Sequence, residues 1–266
     1  MRQITACKLP FLLFILTLCA VEARAQAPEI VPESIQIGLS TDRVTITSDF
    51  SGADLTIFGA LDNADPMIAR QGRYDVIVVL EGPARPVVVR KKTRVLGMWI
   101  NTQSETFVNV PMSYSVATTR ARQDITNTAN YKQLALGAEN VNITPYDRNG
   151  DPVTIEEFSN ALRERKKASG LFSERIGGVQ FLSQNLFRAT LHLAPNVPVG
   201  THRARAFLFK NGVFIKENSA QLAILKAGFE QRVYRAAQNH GFLYGIAAVL
   251  LAFVTGWLGR IIFRRD

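Results

Sequence analysis

The sequence predicts a mostly β protein: an exported, immunoglobulin-like β-sandwich body of one or two β-rich units, followed by one C-terminal transmembrane helix. Three observations support this fold class. The chain begins with a short apolar segment that ends in a small-residue cleavage pattern. Its middle consists of short runs in which apolar and polar residues alternate. It ends in nineteen uncharged, mostly apolar residues followed by arginines.

Residues 1–25 have the pattern of a secretory signal peptide. Arg2 and Lys8 are basic, an apolar stretch follows, and Ala23 and Ala25 form the A-x-A pattern that precedes cleavage. The apolar stretch has thirteen residues. It is too short to cross a bilayer easily, although an uncleaved N-terminal anchor is the structural alternative. We expect cleavage after Ala25.

Both cysteines, Cys7 and Cys19, lie in the segment that is predicted to be removed. A lipid-modified Cys19 is not expected, because Leu18 stands where a lipoprotein signal has a small residue. The mature chain would therefore have no disulfide, no thiolate nucleophile and no cysteine-ligated metal. Its body has to be stabilised by its own hydrophobic core.

Residues 26–120 are predicted to form a β-sandwich unit without the cysteine pair of antibody domains. After a proline-containing linker, short runs place apolar residues at every second position. Gly, Pro, Asp and Asn interrupt these runs, which is typical of an antiparallel sandwich or barrel. The predicted strands lie in SIQIGLS, RVTITS, DLTIFGA, YDVIVVLEG, RPVVVRKK, VLGMWI, TFVNV and SYSVATT.

Residues 121–226 are predicted to form a second β-rich unit with a helical insertion. A short helix is expected within 127–136. A longer helix is expected after Asp-Pro-Val, where Thr154 and Glu157 have capping-box spacing and Gly170 can end the helix. Strands follow in LFRATLHL, in THRARAFLFK, in VFIKE and in AQLAILKA. The Asn-Gly pair between THRARAFLFK and VFIKE predicts a two-residue type I′ turn.

Residues 227–240 are predicted to be an amphipathic juxtamembrane segment that leads into a transmembrane helix at 241–259. Nineteen uncharged residues span about 28 Å of helix, close to the hydrocarbon thickness of a bilayer. Residues 260–266 form the predicted cytoplasmic tail, because basic residues next to a span stay on the cytoplasmic side. The tail's arginines are Arg260, Arg264 and Arg265. We expect a body outside the cytoplasm, which in a Gram-negative cell means a single-pass inner-membrane protein with a periplasmic body.

Small residues form a stripe along one side of the predicted membrane helix. The members of this small-residue stripe are Gly245, Ala248, Ala252, Gly256 and Gly259. Small residues permit close approach of helices in a bilayer, so the stripe is a candidate packing surface for a membrane-protein partner or a second copy. The alternative is that glycine and alanine are simply common in membrane spans.

The net charge of +9 does not indicate nucleic-acid binding. Residues 26–120 hold nine basic and ten acidic side chains, whereas residues 121–239 hold sixteen and ten. The excess therefore lies in the membrane-proximal half, outside the cytoplasm, where an acidic lipid surface or acidic partner is more plausible than DNA. A solvated surface without a charge-specific partner is the alternative.

Four segments resemble the alphaproteobacterial transmembrane protein family called Alph_Pro_TM. They are VPESIQIGLSTDRVTITSDFSGADLTIFGA, RAFLFKNGVFIKE, KAGFEQRVYRAA and the terminal FLYGIAAVLLAFVTGWLGRIIFRRD. The resemblance covers nearly the whole mature chain, and its terminal block is the most specific part. It implies an anchored membrane protein and assigns no catalytic residues.

No catalytic or metal-binding motif stands out. The segment from Asp147 to Asp151 partly matches a calcium loop, but the glycine and the bidentate glutamate are not at their required positions. His192 and His202 could lie on adjacent strands, without an evident third ligand for a metal. G-x-S-x-G, H-E-x-x-H, P-loop and G-x-G-x-x-G patterns do not occur. We expect no enzyme, no metal and no cofactor, although a serine nucleophile with a distant histidine stays open because triad order is not fixed.

Two hypotheses of function of different class follow. The first is a non-enzymatic accessory or interaction subunit of an inner-membrane complex, with a transporter as one candidate partner. The second is a free-standing periplasmic module that binds a small anion or an envelope polymer in the cleft between its two halves. A hydrolytic enzyme with an unrecognised site is a further alternative.

Overall fold

The structure is a computed structural model in which most of the body and the C-terminal helix are described. The described residues are 32–147, 149–226, 233–234 and 237–262. Within them the chain is mostly β, with one C-terminal helix that is long and apolar enough to cross a membrane. The predicted fold class is confirmed.

Some sequence predictions concern residues outside this range. The predicted signal peptide with Ala23 and Ala25 lies outside the described residues, as do Arg264 and Arg265 in the predicted tail. Most of the predicted amphipathic segment 227–240 also lies outside them.

Thirteen strands and five helices make up the described chain. The strands are β1 (Ser34–Leu39), β2 (Arg43–Ile46), β3 (Ala53–Asp62), β4 (Tyr74–Glu81), β5 (Ala84–Val95), β6 (Met98–Pro111), β7 (Tyr114–Thr118), β8 (Thr144–Pro145), β9 (Phe172–Ile176), β10 (Val179–Phe181), β11 (Leu186–Leu193), β12 (Gly200–Lys210) and β13 (Val213–Lys226). The helices are α1 (Pro66–Arg70), α2 (Arg122–Ile125), α3 (Thr128–Gln133), α4 (Pro152–Ala168) and α5 (Gly241–Ile262).

Two large sheets form the sandwich. Their strand orders are β1-β3-β11-β10 and β2-β13-β12-β4-β7-β9, and β5, β6 and β8 form a third, smaller sheet. Apolar side chains from both large sheets form one buried core, in which Ile57, Val78 and Leu191 are fully enclosed. Burial of each such side chain contributes about 1.5–3 kcal/mol, so this core is the main source of stability for the cysteine-free body.

The two predicted β-rich units are interleaved. β11 from the second unit pairs with β3 from the first, with Leu191 opposite Leu55. β12 pairs with β4, with Ala206 opposite Val78. The suggested boundary after residue 120 therefore does not separate two folding units, because strands from either side of it complete the same sheets.

A third layer covers the outer face of the six-stranded sheet. Alternate residues of β4 point to opposite faces, so Val78 packs in the sandwich core while Ile77 packs with Tyr131 and Leu136 of the helical insertion. Seven of the eight β4 residues are buried. This two-sided burial explains why YDVIVVLEG is a continuous apolar run rather than an alternating one.

Two strand pairs are parallel rather than antiparallel as predicted, and the insertion accounts for one of them. β9 runs parallel to β7, and β2 runs parallel to β13. Parallel neighbours cannot be joined by a tight turn and need a crossover connection of a dozen or more residues. The segment that contains α2, α3 and α4 is this crossover between β7 and β9.

The start of α4 differs from the predicted capping box. The N-cap is Asp151, whose carboxylate accepts hydrogen bonds from the backbone N of Val153 (3.4 Å) and Thr154 (3.0 Å). Pro152 occupies the first helical position, which proline favours because its missing N–H is not needed there. The prediction of Thr154 as the cap was wrong. The predicted end is confirmed, because Gly170 follows the helix with a φ of +73°.

Of two hairpin turns, the sequence predicted one correctly and missed the other. The Asn-Gly turn is confirmed, since Asn211 and Gly212 both have positive φ, at 50° and 84°. The interpretation of VLGMWI as a strand was wrong. Leu96 and Gly97 form a second two-residue turn, with φ of 50° and 87°, that joins β5 to β6. AQLAILKA is not a separate strand either, because β13 is continuous from Val213 to Lys226.

Candidate functional site

The C-terminal helix α5 is the first candidate site. It runs from Gly241 to Ile262, slightly beyond the predicted span of 241–259. The stretch Gly241–Arg260 has a mean hydropathy of 1.9, and none of it is buried against the rest of the described chain. An apolar helix of this length is stable in a bilayer, where its backbone groups are satisfied internally.

The small-residue stripe lies on one side of α5, as predicted. At 100° per residue its five members fall within about 80° of the helix circumference. A methyl group at Gly245, Gly256 or Gly259 would contact nothing within 4 Å. The backbone along this side is therefore open to a neighbour that is not part of the described chain. Arg260 is in the last turn, at the end predicted to be cytoplasmic.

Thr255 has the only aliphatic hydroxyl of this helix, and this hydroxyl is satisfied locally. Thr255 Oγ1 lies 2.9 Å from Leu251 O and 3.0 Å from Ala252 O, so it donates back to the preceding turn. This back-bonding removes the cost of an unpaired hydroxyl in lipid. Thr255 therefore does not require a partner helix.

A polar cleft at one end of the six-stranded sheet is the second candidate site. Its volume is about 400 Å³. The wall on one side comes from β12, where Arg203 and Arg205 alternate with buried alanines and so point away from the sandwich core. Asn109 of β6 and Asn142 of the insertion contribute side-chain amides.

Arg205 is the central residue of this cleft, and its side chain is only 17% exposed. Its Nη2 donates to Glu81 Oε1 at 2.5 Å, and its Nη1 lies 3.8 Å from Glu217 Oε2. The guanidinium carbon is 5.0 Å from the centre of the Phe207 ring, within cation–π distance. Arg205 Nε is buried and makes no hydrogen bond within the described residues.

The charges of the cleft cancel. Arg203 and Arg205 on β12 are matched by Glu81 on β4 and Glu217 on β13. A small anion would gain little from a site whose two arginines are balanced by two carboxylates, both of which lie near Arg205. Planar amide and guanidinium groups of this kind suit a neutral ligand with many hydroxyl or amide groups instead.

The wall of the cleft next to α3 is fixed by Tyr114. The Tyr114 hydroxyl donates to Ala135 O (3.2 Å) and accepts from Gly137 N (3.0 Å). Burial raises the pKa of Tyr114 well above its usual range, and the nearby Glu81 carboxylate adds to the effect. Tyr114 is therefore a neutral hydrogen-bonding group at all physiological pH values.

A serine–histidine contact lies behind the cleft. Ser113 Oγ is 3.1 Å from His202 Nε2. His202 Nδ1 lies 3.2 Å from Gly200 O, so Nδ1 carries the proton and the serine donates to Nε2. Burial lowers the pKa of His202 and keeps the ring neutral.

This pair is packed as a structural contact. His202 is fully buried, and a methyl group at Gly82 would lie 2.3 Å from Ser113 Oγ, so Gly82 covers the hydroxyl. A catalytic histidine is usually oriented by a carboxylate, whereas the partner here is the carbonyl oxygen of Gly200. The backbone of Gly82 therefore shields the Ser113 hydroxyl on this side.

The expectation that His192 and His202 lie on adjacent strands was wrong. His192 is on β11 in the four-stranded sheet, and His202 is on β12 in the six-stranded sheet. The exposed His192 Nδ1 contacts Asp54 Oδ1 at 2.9 Å. Asp147 Oδ1 accepts a hydrogen bond from Asn149 N in a turn, and Asp151 is the N-cap of α4. In the described ranges no three histidine, cysteine or acidic side chains are grouped as metal ligands would be.

Sequence reasoning missed both the cleft and its central arginine. The spacing of Arg203 and Arg205 was a usable signal, because residues two apart on a strand share a face. The paired carboxylates were not identifiable, since β4, β12 and β13 become neighbours only in the folded sheet.

Comparisons with solved structures found distant likenesses. Spo0M, a sporulation control protein from Bacillus subtilis, is 8% identical with a TM-score of 0.27, and the match covers 79% of this chain and 56% of that one. AggA, the major subunit of aggregative adherence fimbriae type I from Escherichia coli, is 9% identical with a TM-score of 0.26, over 74% and 97% of the two chains. A family 123 glycoside hydrolase from Clostridium perfringens is 8% identical with a TM-score of 0.23, over 73% and 27%. Scores this low carry no argument about the present chain.

A search of curated proteins found no match. The family comparison is more informative. The model of the family described as "Putative transmembrane protein (Alph_Pro_TM)" matches residues 34–265, which is most of the sequence and includes both the sandwich and α5. The chain therefore belongs to the Alph_Pro_TM family of transmembrane proteins.

Proposed function

We propose that this protein is a non-enzymatic interaction subunit of an inner-membrane complex. In this proposal the β-sandwich body lies in the periplasm, the C-terminus lies in the cytoplasm, and α5 packs against a membrane-protein partner or a second copy of the chain.

One observation carries the proposal: α5 is open on all sides within the described chain, and its small residues are gathered on one of them. Association of helices in lipid has no hydrophobic driving force and depends on close backbone approach. A methyl group at any of the three stripe glycines would be unopposed within the described chain. The opposite side carries larger apolar residues that suit lipid: Leu243, Ile246, Leu250, Val254 and Leu258.

The test compares variants on the two sides of α5 in the full chain. Ala252→Ile and Gly256→Ile place bulk in the stripe and should each reduce association. Leu250→Ile and Val254→Leu keep the same hydropathy on the lipid side and serve as matched controls. The readouts are mass spectrometry of proteins that co-purify in mild detergent and the yield of crosslinked dimer, at equal expression. If stripe and control variants associate equally, α5 is only an anchor.

The cleft favours a second candidate function, a module that binds an envelope polymer. The supporting observation is Arg205, a largely buried guanidinium that lies over Phe207 and whose Nε–H has no partner in the part of the chain that the structure describes. Because the charges of the cleft cancel, a neutral polysaccharide is a better candidate than a small anion.

Sedimentation with chitin, an insoluble neutral polysaccharide whose sugars carry hydroxyl and amide groups, tests this second candidate. Asn142→Ala and Arg203→Gln remove cleft groups without disturbing the Arg205 ion pairs and should both reduce the bound fraction. Arg188→Gln, on a different sheet, is the control. Equal sedimentation of all four proteins, including the parent chain, would contradict a role for the cleft.

A further inference from the structure

β5 and β6 form a long two-stranded ribbon, which we define as residues 84–111. The ribbon continues the β4–β7 ladder, because Gly82 N donates to Ser113 O (2.9 Å) and Met112 N donates to Pro83 O (3.1 Å). Its strands pair from Ala84 opposite Pro111 to Val95 opposite Met98. The base of the ribbon packs against α4 through Val87, Val89 and Phe107, so the part that projects is the largely exposed segment 90–104, about 20 Å long.

The tip of this ribbon is apolar and exposed. We define the ribbon tip as residues 95–100, which read VLGMWI. Five of these six residues are large and apolar. Their exposed fractions are 41% for Val95, 95% for Leu96, 65% for Met98, 68% for Trp99 and 43% for Ile100. A patch of this kind at the end of a projection is typical of an interaction site rather than of a solvated loop.

The turn at the tip is built at a conformational cost. Leu96 has a φ of 50°, in the left-handed region that a branched side chain rarely adopts. Asn-Gly would form the same turn without this strain, as Asn211-Gly212 does elsewhere in the chain. Because Leu96 is almost fully exposed, no core contact within the described chain offsets the strain. Such outliers often mark functional positions.

Basic residues lie directly behind the apolar tip. Residues 90–104 contain four cations and no carboxylate. The cations are Arg90, Lys91, Lys92 and Arg94. Lys91 Nζ is 2.7 Å from Glu157 Oε1 of α4, a contact that braces the ribbon against the body. Arg94 lies directly opposite Trp99 and Lys92 opposite Asn101, so two of the cations flank the apolar residues.

The ribbon leaves the body at the same end as the chain that leads to α5. β4 runs from Tyr74, next to the Asn211–Gly212 turn, to Glu81, next to the ribbon. β13 runs in the same direction as β4 and ends at Lys226, beyond Ile224 opposite Gly200. The fourteen residues between Lys226 and Gly241 can reach at most about 50 Å, which is longer than the projecting part of the ribbon. The ribbon and the link to α5 therefore start from the same side of the sandwich.

We propose that the ribbon tip inserts into the boundary between headgroups and acyl chains of an anionic bilayer, the one that α5 spans. Tryptophan favours this boundary, and lysine and arginine behind it favour acidic headgroups. Tryptophan, methionine and arginine are enriched at protein interfaces as well, but lysine is depleted there, and the shared side of the ribbon and the link to α5 favours the bilayer. This inference goes beyond the proposed helix-packing function and does not depend on it.

The intrinsic tryptophans allow a direct test in the full chain. The protein has two tryptophans, Trp99 and Trp257, so the conservative Trp257→Phe variant leaves Trp99 as the only tryptophan. This variant is reconstituted into nanodiscs with a tryptophan-free scaffold protein that contain phosphatidylglycerol, with or without brominated acyl chains. Insertion predicts a blue-shifted Trp99 emission and about two-fold quenching by the bromines. Unquenched Trp99 emission in these discs would overturn the proposal.

Further measurements distinguish insertion of the tip from mere closeness of the body to the bilayer and from contact with a protein. Val213→Trp with Trp99→Phe and Trp257→Phe moves the probe to the exposed turn at the opposite end of β12, where no quenching is expected. Arg90→Gln, Lys92→Gln and Arg94→Gln together should restore most of the emission, as should discs without phosphatidylglycerol. Quenching that is insensitive to both changes would overturn the role of anionic lipid. A blue shift that requires a co-purified protein and occurs without bromine quenching would assign the tip to a protein partner and overturn the proposal.

Discussion

Gly59 on β3 and Phe187 on β11 lie directly opposite each other, and the Phe187 ring fills the space that a side chain at Gly59 would occupy. A methyl group at Gly59 would lie 2.3 Å from Phe187 Cζ and 2.6 Å from Gln36 O. Phe187 is fully buried in the sandwich core. This contact joins two residues 128 positions apart, one from each of the predicted units.

Gly59→Ala should lower the free energy of unfolding by about 1–3 kcal/mol, because the added methyl group overpacks the core between β1, β3 and β11. Gly38→Ala on β1 is the control, since a methyl group there meets nothing within 4 Å. Gly59→Ala with Phe187→Leu should recover only part of the loss, because the clash with Gln36 O persists. Thermal unfolding of the full chain in detergent measures all three. Equal Tm values for the two alanine variants would show that this contact is not tight.

The stability of the body should decrease as the pH falls below about 6.5, because the buried His202 resists protonation. Its folded-state pKa is lowered by burial, so the unfolded chain binds the proton first and is favoured at acidic pH. One such group changes the free energy of unfolding by at most about 1.4 kcal/mol per pH unit. Unfolding at pH 7.5 and pH 5.5 measures the slope. His202→Asn should flatten the slope even if it lowers stability at both pH values; an unchanged slope would exclude His202 as the cause.

Asp151→Ala should destabilise the body more than Thr154→Ala does. Asp151 satisfies two backbone N–H groups at the start of α4, whereas the Thr154 hydroxyl only donates to Asp151 Oδ2, at 2.6 Å. Asp151→Asn keeps an accepting oxygen and should lie close to the parent chain. Comparison of Tm values tests this order. A larger loss for Thr154→Ala would support the capping box that the sequence suggested.

Alkaline phosphatase fused after Ala227 should be active, and the same enzyme fused after Asp266 should be inactive. The expected difference follows from the single candidate membrane helix in the described chain and from Arg260, Arg264 and Arg265 after it. Comparable protein levels, measured by immunoblot, are the control. Activity at both positions would mean that α5 does not cross the membrane.

The sequence alone determined most of the local structure of this protein, namely most strands, one turn and the C-terminal helix. Apolar patterns predicted ten of the thirteen strands, and the Asn-Gly pair predicted the turn between β12 and β13, because both features depend on neighbouring residues. The short strands β8, β9 and β10 were missed. The uncharged stretch from Gly241 predicted α5 within a few residues, since length and hydropathy are local properties. Prediction failed locally at Leu96, because the left-handed conformation of a leucine has no sequence signal, and at Thr154, because Pro152 and Asp151 offered a better helix start.

Only the tertiary structure decided which strands pair and what their side chains form together. Nothing in the sequence indicated that Phe187 would lie over Gly59, because pairing between distant strands depends on the packing of the whole sandwich. The same is true of the cleft, where Glu81, Arg205 and Glu217 come from three strands. It is also true of the separation of His192 and His202 into different sheets. Periodicity fixes the face on which a side chain lies, whereas its partners are fixed by the free energy of the complete core.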